Sequence, residues 1–137
     1  MKLSPNTKCP CGSLLKYKKC CKPFHDGLNP KSAIELMRSR FCAYSLNKAD
    51  YIIETTHPNN PEYTLDIRNW KKDIENFSES TDFLGLEIYE SINGKDESFV
   101  SFLAKLKQGD VDISFNEKSR FLKVKEKWLY VDGIFKE

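Results

Sequence analysis

The 137-residue sequence has no apolar run long enough to cross a bilayer, so we expect no membrane-spanning helix. Its first residues, Met1 to Asn6, lack the apolar core of an export signal, which predicts a cytoplasmic protein in a reducing compartment. A large excess of one charge is also missing. The 22 Lys and Arg against 20 Asp and Glu leave a net charge of +2, which predicts no strong nucleic-acid footprint for the chain as a whole.

The usual catalytic motifs are missing as well. No Gly-x-Ser-x-Gly sequence marks a nucleophilic serine. The glycines Gly85, Gly94 and Gly109 stand alone, which argues against a phosphate-binding loop. Acidic residues are scattered, so no carboxylate pair indicates general acid–base chemistry. The hydrophobic fraction of 39% and the aromatic fraction of 12% nevertheless indicate one folded domain of ordinary size.

Cysteine is the residue type that is concentrated. Four of the five cysteines are Cys9, Cys11, Cys20 and Cys21. Two close pairs joined by a short loop supply four soft ligands for a tetrahedral ion, and thiolates favour zinc. Four ligands leave no position for substrate, so the pattern predicts a structural site. The fifth cysteine, Cys42, lies in a helical pattern and is expected to be a small buried apolar residue.

Other uses of these cysteines stay open. Disulfides are rare in reducing compartments, and a redox dithiol normally has Cys-x-x-Cys at the start of a helix, a spacing this chain does not have. A thiol sensor built on Cys20 and Cys21 is a third hypothesis. His25 competes with Cys21 as the last metal ligand. We favour Cys21, and otherwise expect His25 to be an exposed loop histidine.

Residues 1–31 carry seven lysines against the single acid Asp26. This basic patch is either a solvated face that keeps a small module in solution or an interaction surface for an acidic partner or RNA.

The remaining chain divides into a helical part and a strand part. Ser32 and Glu35 form a capping-box pattern, which predicts the start of a helix after a linker at residues 22–31. Apolar spacing of three to four residues predicts helices over 33–44, 49–56 and about 65–77, and places Leu65, Trp70, Ile74 and Phe77 on or near one face of the third. Alternating patterns predict strands over 83–92, 98–107, 111–115, 121–125 and 128–131, with Leu84 facing inward. Three helices that cover an antiparallel meander define an α+β architecture.

The cysteine segment carries a resemblance to a known motif. Cys9-Pro10-Cys11-Gly12-Ser13 with Lys16-Tyr17-Lys18-Lys19-Cys20-Cys21 resembles SEC-C, the zinc-binding tail of the SecA translocation motor. The resemblance makes Cys9, Cys11, Cys20 and Cys21 the zinc ligands. Leu14 and Leu15 stand where the family usually has glycine and lysine, and Cys21 stands where SecA often has histidine. The resemblance implies a protein partner in the translation or secretion machinery, such as the ribosome or an export chaperone.

The rest of the chain resembles the bacterial YchJ family. The resemblance is carried by Leu36-Met37-Arg38-Ser39-Arg40-Phe41, Ala43-Tyr44, Asp50-Tyr51, Thr56-His57-Pro58 and Trp128-Leu129-Tyr130-Val131-Asp132-Gly133. It implies a SEC-C motif at residues 1–28, followed at 29–137 by a nuclear-transport-factor-2-like domain, in which helices pack on a curved antiparallel sheet as a cone. Some members carry a second cysteine motif near the C-terminus, whereas this sequence has no cysteine after Cys42. Because the family has no established activity, the resemblance predicts architecture more than function.

The implied cone often encloses a pocket, so an alternative function is a small-molecule-binding protein or an enzyme. The candidate pocket residues are Arg38, Arg40, Tyr44, His57 and Trp70. Two residues on a helix separated by one position lie about 200° apart, so at most one of the two arginines points inward. A buried arginine needs an acidic partner or an anionic ligand; the acids considered are Asp50, Asp66 and Asp132. His57 is a candidate general base, and its alternative role is to bond the end of a helix.

Overall fold

The computed structural model describes residues 3–136, and the structural statements below concern these residues. The chain begins with a 3₁₀ turn and four helices: Tyr17–Lys19, then α1 Lys22–His25, α2 Ala33–Ser45, α3 Ala49–Glu54 and α4 Ile67–Ser80. Five strands follow: β1 Asp82–Asn93, β2 Glu97–Gln108, β3 Val111–Asp112, β4 Phe115–Val124 and β5 Lys127–Lys136. The predicted α+β order of helices before strands is confirmed.

Helix starts follow local hydrogen bonds. The Ser32 hydroxyl accepts the backbone N–H of Glu35 at 3.2 Å, as the capping pattern predicts. The Glu35 carboxylate bonds the backbone N–H of Lys31 at 2.7 Å, one residue earlier than in a standard capping box. Asp66 caps α4, so Leu65 precedes that helix and is 86% exposed. The prediction that Leu65 lies on or near the apolar face of this helix was wrong.

The sheet is antiparallel with the order β1-β2-β4-β5, and the short β3 pairs with β2. The predicted inner face of β2 is buried and consists of Val100, Phe102, Ala104 and Leu106. In β1 the register shifts between Phe83 and Gly85. Such a bulge reverses the side-chain alternation, which leaves Leu84 61% exposed rather than facing inward.

Strand β4 is longer than the sequence predicts. The pattern predicted one strand over 111–115 and another over 121–125, whereas β3 ends at Asp112 and β4 begins at Phe115. Residues 116–120 of β4 were not predicted as strand because two inward positions there are polar: Glu117 and Ser119 are buried. Alternation of apolar and polar residues cannot identify a strand whose buried face carries a carboxylate and a hydroxyl.

Helix α2 joins the parts of the molecule. Leu36, Met37 and Phe41 pack in one core cluster with sheet residues such as Val100 and Phe121. Ala43 of the same helix packs in a second cluster with α3 and α4, through Ile52, Trp70 and Ile74. Cys42 packs with the cysteine segment. None of the described helices is long and apolar enough to cross a membrane.

Candidate metal centre

The four clustered cysteines lie on a segment that folds back on itself. Lys8 and Lys16 pair as an antiparallel bridge, and the Cys9 N–H donates to the Leu15 carbonyl at 2.8 Å. Gly12 adopts φ +82°, a conformation that favours glycine. Its N–H donates back to the Cys9 carbonyl at 3.3 Å. This turn brings the two thiols of the Cys-x-Cys pair to the same side.

The second cysteine pair lies at a junction of two helical turns. The Cys20 N–H donates to the Tyr17 carbonyl at 3.0 Å and so ends the 3₁₀ turn, while Cys21 precedes α1. The Sγ atoms of Cys9, Cys11, Cys20 and Cys21 all lie within 4.8 Å of one another. Within this quartet the Cys11–Cys20 sulfur distance is 3.5 Å and the Cys20–Cys21 distance is 3.9 Å. This quartet can bind one metal ion.

The quartet is closed to solvent on most sides. Cys9, Cys11 and Cys21 are buried, and Cys20 is partly exposed. Hydrogen bonds from Cys11 and then Cys21 lower the pKa of Cys9, whereas burial raises the pKa of Cys20 to about 11. A hydrogen bond with Cys11 also raises the pKa of Cys21, so Cys20 and Cys21 keep their protons in the absence of a cation. A divalent cation would displace them, because only thiolates act as ligands.

Arg38 contacts the loop of the cysteine quartet rather than a pocket in the body. Its Nη1 atom donates to the Cys11 carbonyl at 2.9 Å. Gly12, the next residue, lies so close to β1 that an added Cβ would approach the Leu86 carbonyl to 3.1 Å. The cysteine segment therefore rests on α2 and β1, and a guanidinium lies beside the loop that carries two of the thiols.

His25 connects the cysteine segment to α2. Its Nε2 lies 2.9 Å from the Ser39 carbonyl and its Nδ1 lies 2.8 Å from the Tyr17 hydroxyl. Since a carbonyl only accepts, Nε2 carries the proton and Nδ1 accepts from Tyr17. Burial lowers the pKa of His25, which favours this neutral form. Both ring nitrogens are engaged, so His25 is not placed as a metal ligand, and the expectation of an exposed loop histidine was wrong.

Cys42 is fully buried, as expected, but it is also part of the cysteine environment. Its Sγ lies 3.7 Å from the Sγ of Cys9, across a separation of 33 residues. No local sequence pattern carries a contact over that distance. The fifth thiol therefore packs behind the quartet, on the side that faces α2.

Of the other pocket candidates, Arg40 is a buried charged residue. Its Nη1 donates to the Ile52 carbonyl at 3.1 Å and to the hydroxyls of Thr55 and Thr56 at 2.8 and 3.1 Å. Its guanidinium lies 4.7 Å from the centre of the Tyr130 ring. The acids considered as its partners are engaged elsewhere: Asp50 with Lys71, Asp66 with Asn69 and Asp132 with Arg120. The expected acidic partner is thus replaced by neutral oxygens and an aromatic face.

The remaining candidates are dispersed. Tyr44 packs edge-on against Phe77, while Trp70 packs against Tyr63 in the helical core. The backbone N–H of His57 donates to the Tyr130 carbonyl at 2.8 Å, where α3 meets β5. A surface cleft of about 330 Å³ and another of about 80 Å³ are both lined by other residues than these five candidates. The structure therefore does not bring them together around one open space.

Sequence reasoning also missed a buried carboxylate. Glu117 of β4 accepts hydrogen bonds from the hydroxyl of Ser119 and from that of Tyr130, the latter at 3.0 Å. Tyr130 thereby connects this acid to the ring face on which Arg40 lies. The only sequence signal would have been a polar residue at an inward position of a strand, which by itself predicts exposure.

Fold and site together define a class of protein: a SEC-C cysteine motif packed against a nuclear-transport-factor-2-like domain. The SEC-C family model matches residues 6–23, and the model of the YchJ middle NTF2-like domain matches residues 32–133. The chain therefore belongs to the YchJ family, whose curated members carry the name UPF0225.

Individual relatives agree with this assignment. A UPF0225 protein of Yersinia pestis is 40% identical over 132 residues, which cover 92% of this chain and 82% of the relative. A SEC-C motif containing protein from Rhodopseudomonas palustris has a similar solved structure, with a TM-score of 0.80, 31% identity and coverage of 96% and 100%. A second such protein, from Psychrobacter arcticus, has a TM-score of 0.80, 32% identity and coverage of 97% and 85%.

Proposed function

We propose that this chain is a zinc-stabilised interaction module. The four thiols would hold one structural zinc ion, and the segment that carries them would present its lysines to an acidic partner. The observation that carries the proposal is the quartet of sulfurs within 4.8 Å of one another. A Zn–S bond of about 2.3 Å places the sulfurs of a tetrahedral site about 3.8 Å apart. The Cys11–Cys20 and Cys20–Cys21 distances of 3.5 and 3.9 Å bracket that value.

The surroundings of the quartet support a permanent site. Four thiolates around a divalent cation leave a surplus of negative charge, which is unfavourable in a buried place unless donors and cations lie nearby. Arg38 supplies a cation at the Cys11 carbonyl, and Ser13 supplies a hydroxyl 3.1 Å from the Cys20 sulfur. With all four positions filled by protein, zinc would stabilise the fold and leave no place for substrate.

The partner is proposed from charge and from family analogy. The lysines at positions 8, 16, 18 and 19 are exposed, while the acid Asp26 is bonded to Lys22 at 2.5 Å. A surface of this charge would attract an acidic protein, and the SEC-C resemblance points to the translation or secretion machinery. The specific partners that we predict are the ribosome, an export chaperone or RNA. The dispersed pocket residues give the alternative of a small-molecule enzyme no comparable support.

The first test is the zinc content of freshly purified protein kept under reducing conditions. We expect about one zinc per chain in the native protein and none in Cys20→Ser/Cys21→Ser. Cys42→Ala is the matched control, because it removes a buried thiol that lies outside the quartet. A native protein with no zinc and four freely reactive thiols would contradict the proposal.

A further inference from the structure

The segment with the cysteines exposes two neighbouring leucines that its metal-binding role does not use. Leu14 and Leu15 are 75% and 55% exposed. Leu14 adopts φ +73°, a conformation that residues with a side chain rarely adopt. An exposed apolar side chain in a disfavoured backbone conformation does not stabilise the core, so we expect it to act at the surface.

The backbone of Leu15 is hydrogen-bonded to Cys9 of the quartet and to Ser13. The Leu15 carbonyl accepts the Cys9 N–H at 2.8 Å, and the Leu15 N–H donates to the Ser13 hydroxyl at 3.2 Å. That hydroxyl lies 3.1 Å from the Cys20 sulfur. A metal ion held by the quartet would therefore restrain the backbone at Leu15, which directly follows Leu14. We call Leu14 and Leu15, together with the lysines at positions 8, 16, 18 and 19, the basic apolar tip.

Lysines surround the leucine pair in sequence and in the hairpin. Lys8 and Lys16 face each other in the bridge at its base, and Lys18 and Lys19 follow in the 3₁₀ turn. All four are exposed. Within residues 3–136 none of them forms an ion pair. The tip thus combines an apolar protrusion with uncompensated positive charge.

We propose that the basic apolar tip binds the surface of an anionic phospholipid bilayer. Leucines at the level of the acyl boundary lose contact with water, while lysines beside them stay at the phosphates. An anionic leaflet attracts lysines of this kind individually, without fixed geometry. The inference rests on the proposed metal-held segment and adds a lipid surface to its partners.

As the contact for the two exposed leucines, a bilayer is favoured over RNA or a protein. RNA modules of this size stack bases on exposed aromatic rings, whereas Tyr17, the aromatic residue of this hairpin, is only 5% exposed and bonded to His25. The hot spots of protein–protein interfaces are mainly tryptophan, tyrosine and arginine, and leucine is under-represented among them. Two adjacent exposed leucines with lysines nearby match a bilayer, in which apolar acyl chains lie beneath charged phosphates.

The test is co-sedimentation of the full zinc-loaded chain with vesicles of phosphatidylglycerol mixed with phosphatidylcholine, and with phosphatidylcholine alone. We expect binding to the anionic vesicles only, weakened by salt. Leu14→Gly/Leu15→Ser should weaken binding by at least about tenfold, since two leucine side chains no longer leave water. Glycine suits φ +73°, so this variant should fold. Leu65→Ser, which removes an 86% exposed leucine of the body, is the matched control and should bind as the native chain does.

A charge variant tests the lysines, and poly-uridine RNA is offered to the native chain and to both variants as the competing ligand. Lys16→Gln/Lys18→Gln should weaken vesicle binding roughly fivefold per lysine, while Lys72→Gln/Lys95→Gln in the body should not. The proposal is overturned if zinc-loaded protein ignores the anionic vesicles, or if the leucine variant binds them unchanged. It is also overturned if only poly-uridine RNA is bound, with loss in the lysine variant alone. Zinc is measured in every sample: zinc without vesicle binding removes the lipid inference and leaves the proposed module, whereas absence of zinc removes both.

Discussion

Replacing Arg38 with methionine should weaken zinc binding without unfolding the body. Arg38 is the cation whose Nη1 donates to the Cys11 carbonyl at 2.9 Å. A hydrogen bond from a charged donor contributes about 1.5–3 kcal/mol when the alternative is an unpaired acceptor. At about 1.4 kcal/mol per factor of ten, the loss corresponds to roughly ten- to a hundredfold in affinity. That range matches the usual effect of removing a residue that supports a metal ligand.

The assay is competition for zinc with a chromophoric chelator, followed by thermal unfolding of the zinc-loaded protein. Arg38→Lys keeps the charge without the planar fork, so we expect an intermediate affinity. Arg68→Met removes an exposed arginine of α4, away from the cysteines, and serves as control. If Arg38→Met and Arg68→Met both bind zinc as the native chain does, within about twofold, the assigned role of this guanidinium is refuted.

Three further substitutions test other parts of the structure. Cys42→Ala should keep one zinc per chain but lower the free energy of unfolding by about 1–2 kcal/mol, measured by urea titration, because a small cavity opens behind the quartet. Arg40→Met should cost about 2–4 kcal/mol in the same titration, since buried oxygens lose their donor. Gly133→Ala should cost about 1–3 kcal/mol because the new methyl group would clash with the buried carboxylate of Glu117. At Gly85 the same methyl would meet only the Lys105 chain at 3.7 Å, so Gly85→Ala is the mild control.

The parts of the fold that the sequence predicts are those set by local chemistry. Ser32 starts α2 because its hydroxyl bonds an amide three residues away, and that relation is visible in the sequence. The alternation in β2 predicts its buried face because one side of the strand is consistently apolar. The cysteine quartet is equally local, since all four thiols lie on one short segment.

The failures arise where a distant contact changes the meaning of a local pattern. Glu117 looks like an exposed strand position, but hydroxyls of Ser119 and Tyr130 satisfy its carboxylate inside the sheet. Leu84 looks buried by alternation, but a bulge turns it outward. Arg38 and His25 look like a pocket residue and a loop residue, yet both contact the join between the cysteine segment and α2.

The contacts between the cysteine segment and α2 determine how a loss of metal would affect the rest of the fold. Arg38, Ser39 and Cys42 are successive residues or turns of α2, and each contacts the cysteine segment through a different partner: a carbonyl, a histidine and a sulfur. The Ser39 hydroxyl also bonds the Tyr51 hydroxyl of α3 at 2.7 Å, so one residue of the join reaches the second core cluster. Because α2 is also packed on the sheet, its position does not depend on the metal alone. We therefore expect metal removal to loosen residues 9–21 first, while α2 and the sheet stay folded. The face of α2 that contacts the cysteine segment would then be preserved, so that the segment can refold on it when metal is added again.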